Sequence, residues 1–402
     1  MTHMDRRQFL AGSTAGAIAM GTVKARAADS TGITTTEIKI GCTSPQSGPV
    51  SAYGVQARCQ AAFFKMINDR GGIAGRKINF IYYDDGFNPS KTVEQTRKLV
   101  ESDEVAMLFN NLGTAPNSAI VKYLNSKKIP HIFISVNGDK WSDYKTHPWT
   151  MGFAPSARTE GAIFVKHMLA EKPDAKFAVL YQNDDFGKDF VLGAQDALGD
   201  RHNTQLTMVS HETSDPTIDS QILKLRATAP DALISGTTAK FTAQAIRKVA
   251  ETGWKTRHYI TGGSSSYAGT IGPAGPENAV DVISSAYLKD VADPAWKDDQ
   301  GMKDFLAFMQ KYFNEGNKDD FYNLYAYTSA SALIKVLEQC GNNWTRENIM
   351  AQATNLKDVV VPTLLPGILV NTSPTNYRPL TQVQLQKWDG KAWVRFGKIL
   401  GA

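Results

Sequence analysis

From Ile38 onward, short apolar runs alternate with longer segments whose apolar residues recur at helical spacing, at about 25 residues per unit. Parallel strands need a crossover of a dozen or more residues, and a helix is the compact way to make it. Strand candidates at 38–42, 77–83, 105–109 and 129–134 are separated by helix candidates at 51–69, 90–102 and 115–124. The first helix carries Val55, Cys59, Ala62, Phe63, Met66 and Ile67 as one packed face. After Phe153 the rhythm resumes, with helices at 157–170, 188–198, 218–227 and 239–251 and strands at 176–181, 206–210, 232–235 and 258–261. The expected fold class is α/β, with two parallel sheets each covered by helices. In such sheets ligands bind where the loops leave the carboxyl ends of the strands.

The rhythm changes after Gly262. Residues 264–275 form a Gly- and Ser-rich loop, and 280–286 reads as a strand returning toward the first unit. Helices are expected at 302–313, 324–340 and 346–353. Leu324, Tyr327, Ala330, Leu333, Leu337 and Cys340 form a helix-period stripe that reads as core. The last forty residues read as antiparallel strands, with 383–388 and 393–396 flanking the turn Asp389-Gly390-Lys391.

Residues 1–27 read as an export leader. Arg6 and Arg7 precede a weakly apolar run to Val23, and Ala25-Arg26-Ala27 makes a small-residue cleavage site before Ala28. The arginine pair is similar to a twin-arginine signal. The formal net charge of +5 includes four basic residues and one acidic residue of that leader, leaving the remainder at +2. That balance argues against nucleic acid and against an anionic membrane surface as partners. No later run approaches 18 apolar residues, so no membrane insertion is expected. Cys42, Cys59 and Cys340 read as buried thiols, with a Cys42–Cys59 disulfide as the alternative.

Enzyme signatures are absent from the sequence. There is no G-x-S-x-G elbow, no phosphate-binding G-x-x-x-x-G-K loop and no H-E-x-x-H pair, and the histidines are scattered. Asp84 and Asp85 could pair as acid and base, but they read better as caps of a strand end and the following turn. No cofactor, no metal and no catalytic residue is expected.

One likeness has a name. The stretch E-I-K-I-G-C-T-S-P-Q-S-G-P-V-S-A-Y-G, then I-N-D-R-G-G-I-A-G-R-K-I, Y-Y-D-D, V-L-Y-Q-N-D-D-F-G-K-D and the closing D-G-K-A-W, in that order, resembles the branched-chain amino-acid-binding family of type I periplasmic solute receptors. The likeness covers nearly all of the chain after the leader. It implies two Rossmann-like lobes joined by three hinge crossings: lobe one at 28–152 and 284–359, lobe two at 153–283 and 360–402. It further implies a small-molecule ligand held in the interlobe cleft, closure of the lobes, delivery to an ABC transporter permease, a periplasmic location and a monomer with exposed lobe surfaces. A ligand-sensing receptor component is a second reading, and an exported hydrolase-like enzyme a third.

Mapped through that likeness, lobe one would hold ligand with Gly113, Thr114 and Ala115 and with Ser135, Val136 and Asn137. The Thr114 hydroxyl and the helix N–H groups behind it suit a carboxylate. Tyr53 would pack against the ligand body or donate its hydroxyl. Lobe two would use Phe186, Thr238 and Gly263 or Ser264. Amino-acid receptors usually place an acidic residue near Gly263, whereas Gly262 to Ser266 carry no charge. A buried ammonium without a carboxylate partner is costly. The sequence therefore favours an aromatic or apolar carboxylic acid, with a branched-chain or other amino acid as the alternative. Phe186, Tyr53, Trp141 and Phe153 are candidate aromatic walls. Arg158 would pair either with an anionic ligand group or with Glu160 or the lobe interface.

Overall fold

A computed structural model of the protein describes residues 31–401, so the expected leader lies outside the described residues. The first sheet has five strands, β1 (Glu37–Ser44), β2 (Lys77–Asp84), β3 (Met107–Phe109), β4 (His131–Ile134) and β5 (Thr150–Gly152), in the order β2-β1-β3-β4-β5. All its pairings are parallel. Its crossovers are α1 (Val55–Asp69), α2 (Pro89–Arg97) and α3 (Thr114–Ser126). Local chemistry starts α2 sharply: Asn88 Oδ1 accepts from the N–H groups of Ser90 and Lys91, and Pro89 takes the first helical position. Asp84 and Asp85 are caps, as expected. Asp84 accepts from the N–H groups of Gln46, Ser47 and Gly86, and Asp85 from Phe87 N–H and the Thr92 hydroxyl.

The second sheet contains β6 (Phe177–Gln182), β7 (Leu206–His211), β8 (Ala232–Gly236), β9 (Arg257–Ile260), β10 (Ile283–Ala286), β11 (Gln382–Trp388) and β12 (Trp393–Gly401), in the order β12-β11-β10-β9-β8-β6-β7. Its helices are α4 (Ala157–Glu171), α5 (Asp185–Leu198), α7 (Asp219–Ala227) and α8 (Ala239–Glu251), with single turns α6 (His202–Gln205) and α9 (Gly272–Ala274). The β11–β12 hairpin is antiparallel, and Asp389 accepts from the N–H groups of Lys391 and Ala392 at its turn. Upstream of it, residues 354–381 are irregular apart from isolated bridges, so only the last twenty described residues form the expected antiparallel strands.

α10 (Gln300–Tyr312), α11 (Phe321–Gln339) and α12 (Arg346–Ala353) return to the first lobe. Phe63 of α1 meets Phe308 and Tyr327 edge-on, and the Arg346 guanidinium donates to the carbonyls of Val105 and Ala106. The expected stripe along α11 is core: Leu324, Ala330, Leu333, Leu337 and Cys340 are buried, and Tyr327 is half-buried against the core.

One strand departs from its expected place. The segment read as returning toward the first lobe, with a boundary at 284, contains β10, which pairs with β9 and β11 inside the second sheet. The crossing follows immediately at Tyr287. Residues 287–289 run antiparallel to 363–365, with Leu365 N–H donating to Tyr287 C=O and Lys289 N–H to Thr363 C=O, both at 2.9 Å. Two of the three connections between the lobes are thus hydrogen-bonded to each other; the third is the stretch 153–156. The three cysteines are free and buried, so the Cys42–Cys59 disulfide is not formed.

Candidate functional site

A cavity of about 110 Å³ lies between the lobes, where the carboxyl ends of both sheets face each other. Ten of the residues expected to hold ligand line it: Tyr53, Gly113, Thr114, Ser135, Val136 and Asn137 from the first lobe, and Phe186, Thr238, Gly263 and Ser264 from the second. Each sits in a loop or first helical turn after a strand. Gly113 precedes α3 with φ +95°, and a Cβ there would lie 2.2 Å from the Phe87 ring. Only glycine fits.

Three expected contacts are not made. Ala115, one residue further into α3, does not line the cavity. Phe153 is fully buried in the core, with its ring 5.2 Å from that of Phe133 and 5.9 Å from that of Tyr325. Arg158 points to α5, where it forms a two-pronged pair with Asp196, so neither a ligand nor Glu160 is its partner. Trp141 is likewise core, packed with Val121 and Ile134.

Among the described residues the one charged side chain that lines the cavity is Glu160, which the uncharged 262–266 loop does not reveal. It is 4% exposed, in the first turn of α4. One carboxylate oxygen accepts from Gly262 N–H at 2.6 Å and from the Ser285 hydroxyl, and the other accepts from the Thr261 hydroxyl at 2.9 Å. Burial pushes its pKa up to about 7, against the three donors that favour the charged form. Among the described residues no Lys, Arg or His lines the cavity. The sequence held a signal for it. Ala157, Glu160, Gly161, Phe164 and Met168 follow helical spacing and are all buried, so the acid stands within the inward stripe of α4.

The rest of the wall is aromatic or hydroxylated. Phe87, Tyr287, Phe321, Tyr322 and Tyr325 join Tyr53 and Phe186. Tyr53 and Tyr322 lie 4.4 Å apart between ring centroids. Thr114 Oγ1, Thr238 Oγ1 and Gln182 Oε1 are buried without a hydrogen-bond partner in the protein. Buried polar atoms are ordinarily paired, so these three are free to bond a group that enters the cavity. Thr114 also opens α3, whose first N–H groups have no side-chain cap.

The lobes touch on both flanks of the cavity. On one flank Ala239 N–H, at the start of α8, donates to the Tyr53 hydroxyl at 3.1 Å, and the Ser266 hydroxyl donates to Asp320 at 2.8 Å. On the other, Asp139 N–H donates to Asp189 at 2.6 Å and Lys140 pairs with Asp185. Ser235 and His258 share a hydrogen bond of 2.8 Å, but neither residue lines the cavity. Among the described residues no group of three or more His, Cys, Asp or Glu is placed to hold a metal, and no helix is long and apolar enough to cross a membrane.

Comparison with known proteins agrees with this geometry. The family model described as periplasmic binding protein matches residues 37–392. A Leu/Ile/Val-binding protein homolog of Brucella suis is 22% identical over 320 residues, covering 77% of this chain and 81% of the relative. The structure of a branched-chain amino-acid ABC transporter protein from Thermus thermophilus with bound valine superposes with a TM-score of 0.81 at 14% identity, covering 92% of this chain and 98% of that one. A fatty acid ABC transporter substrate-binding protein from Thermomonospora curvata superposes with a TM-score of 0.74 at 19% identity, covering 92% and 94%. Two α/β lobes, crossed three times by the chain and facing each other over a lined cavity, place this chain in the periplasmic binding protein family, with the type I fold.

Proposed function

We propose that the protein captures a small zwitterion with an apolar or aromatic body, an amino acid or a close analogue, and presents it to an ABC importer. Glu160 carries this reading. A buried carboxylate with no cationic neighbour among the described residues of its cavity calls for a positive ligand group. The uncapped start of α3, with Thr114 and Ser135, suits the ligand carboxylate across the cleft. Tyr53, Phe186, Tyr322 and Tyr325 surround the body between them. The leader at 1–27 exports the chain to the periplasm, where it works as a monomer with both lobes open to the permease.

A second reading, an aromatic acid without the ammonium, draws on the ring-rich wall and on Glu160 itself. A carboxyl group pushed up to about 7 can carry a proton and tolerate an anionic neighbour. Receptors named for valine and for fatty acids share the fold, so the fold does not choose between the two.

Matched pairs decide it by calorimetry: L-phenylalanine against 3-phenylpropionate, and L-leucine against 4-methylpentanoate. The zwitterion of each pair should bind more tightly by about 2–5 kcal/mol, the scale of a buried charge pair. Equal or tighter binding of the deaminated acids would overturn the amino-acid reading in favour of the aromatic acid.

A further inference from the structure

Glu160 stands where the ligand cleft, the second sheet and a lobe crossing meet. Its three donors come from the loop after β9 and from β10, and Ser285 is two residues from the crossing at Tyr287. The groups facing it are the hydroxyls of Thr261 and Ser285, the N–H of Gly262 and, nearby, the Tyr287 phenol, which burial keeps neutral. From α5, packed along α4, Asp196 is engaged by Arg158 and Asp189 by the Asp139 N–H. None of these supplies a positive charge to the Glu160 carboxylate. Among the described residues, then, no cation faces this carboxylate, and a proton is what would neutralise it in the free protein.

We infer that capture of a cation-bearing ligand at this cleft is coupled to proton release from Glu160, so that the receptor holds its ligand more tightly as its surroundings become less acidic. This rests on the zwitterion reading and adds a regulation to it. A ligand ammonium and a proton compete for the same carboxylate. Where binding needs the ionised form and the free carboxyl titrates near pH 7, affinity follows the ionised fraction. The dissociation constant is then about tenfold weaker at pH 6 than at pH 8, and about half a proton leaves per ligand at pH 7.

Titration calorimetry with L-phenylalanine and L-leucine, from about pH 6 to pH 8 in two buffers of different ionisation heat, reads both quantities. Glu160→Gln keeps the local bonds, its amide oxygen accepting from Gly262 and Ser285 and its amide nitrogen donating to Thr261. It should bind weakly at every pH and release no proton. Asp189, pushed up to about 6 by burial beside Asp139 and Asp185, is controlled with Asp189→Asn, which should leave the slope above pH 6 unchanged. The proton count uses the unaltered chain, so a poorly folding Glu160→Gln does not remove the test.

A second arm needs no ligand. Glu160 has a higher pKa folded than unfolded, so the folded state binds its proton more readily and gains stability as pH falls toward 6. The melting temperature of the free protein should therefore rise relative to Glu160→Gln from pH 8 to pH 6. Binding that is tight but flat with pH, with no proton released, overturns the coupling and leaves the zwitterion reading standing. Absence of amino-acid binding at pH 8 overturns that reading and the coupling with it. Binding of 3-phenylpropionate that strengthens as pH falls does the same, with the opposite sign.

Discussion

Gly113 shows how narrowly single residues define the cleft. Its positive φ turns the chain from β3 into α3 so that Thr114 faces the cavity, and its missing side chain leaves room for the Phe87 ring. Gly113→Ala should destabilise the fold by about 1–3 kcal/mol from backbone strain, with the clash adding to it. Urea unfolding would measure that loss. A change within error would mean that Phe87 yields and that the loop is softer than described. Strand-to-helix punctuation in the sequence marks where loops leave the strand ends, and the family likeness picks the ligand-facing residues within them. Glu160 is not legible from the neighbours of Gly263 in sequence, because only folding brings α4 under the loop after β9, a hundred residues further on. Phe153 was misplaced for the complementary reason: an aromatic residue after a strand end suits a ligand wall, but here core neighbours enclose it on every side.

Elements were read most securely where local chemistry and periodicity agree. α2 starts within a residue of its expected place, and Asn88 with Pro89 explains why it begins there. Asn88→Ala removes an acceptor for two N–H groups and should cost about 1 kcal/mol, measurable by chemical denaturation with ligand affinity unchanged. A loss of affinity would mean that α2 helps to position Phe87. β5 escaped notice because three residues carry no period, and its pairing comes from β4 rather than from its own sequence. β10 belongs to the second sheet and not to the expected first lobe, because an apolar run reports burial but not which sheet supplies it. The first turn of α11 was also missed. Phe321 and Tyr322 precede the core stripe, and their rings face the ligand cavity.

At the scale of the molecule the arrangement is a pair of lobes in contact across a lined cavity. Tyr53 reaches from the first lobe to the first N–H of α8 in the second, so its hydroxyl favours the closed state in addition to any ligand contact. Tyr53→Phe removes that bond, of about 1 kcal/mol, and should weaken binding by about fivefold. Small-angle scattering should show the ligand-free variant more extended than the unaltered chain, with ligand bringing both to the same compact dimension. Identical ligand-free curves would mean that the bond forms only after ligand has closed the lobes.

The paired crossings at 287–289 and 363–365 limit how the two lobes could move against each other. Three separate strings would let the halves twist, slide and splay. A two-stranded ribbon flexes across its flat side far more readily than it shears, because shear breaks its backbone bonds. A swing of the halves about one line, as of a door, would keep those bonds and return the same wall residues to the same facing positions.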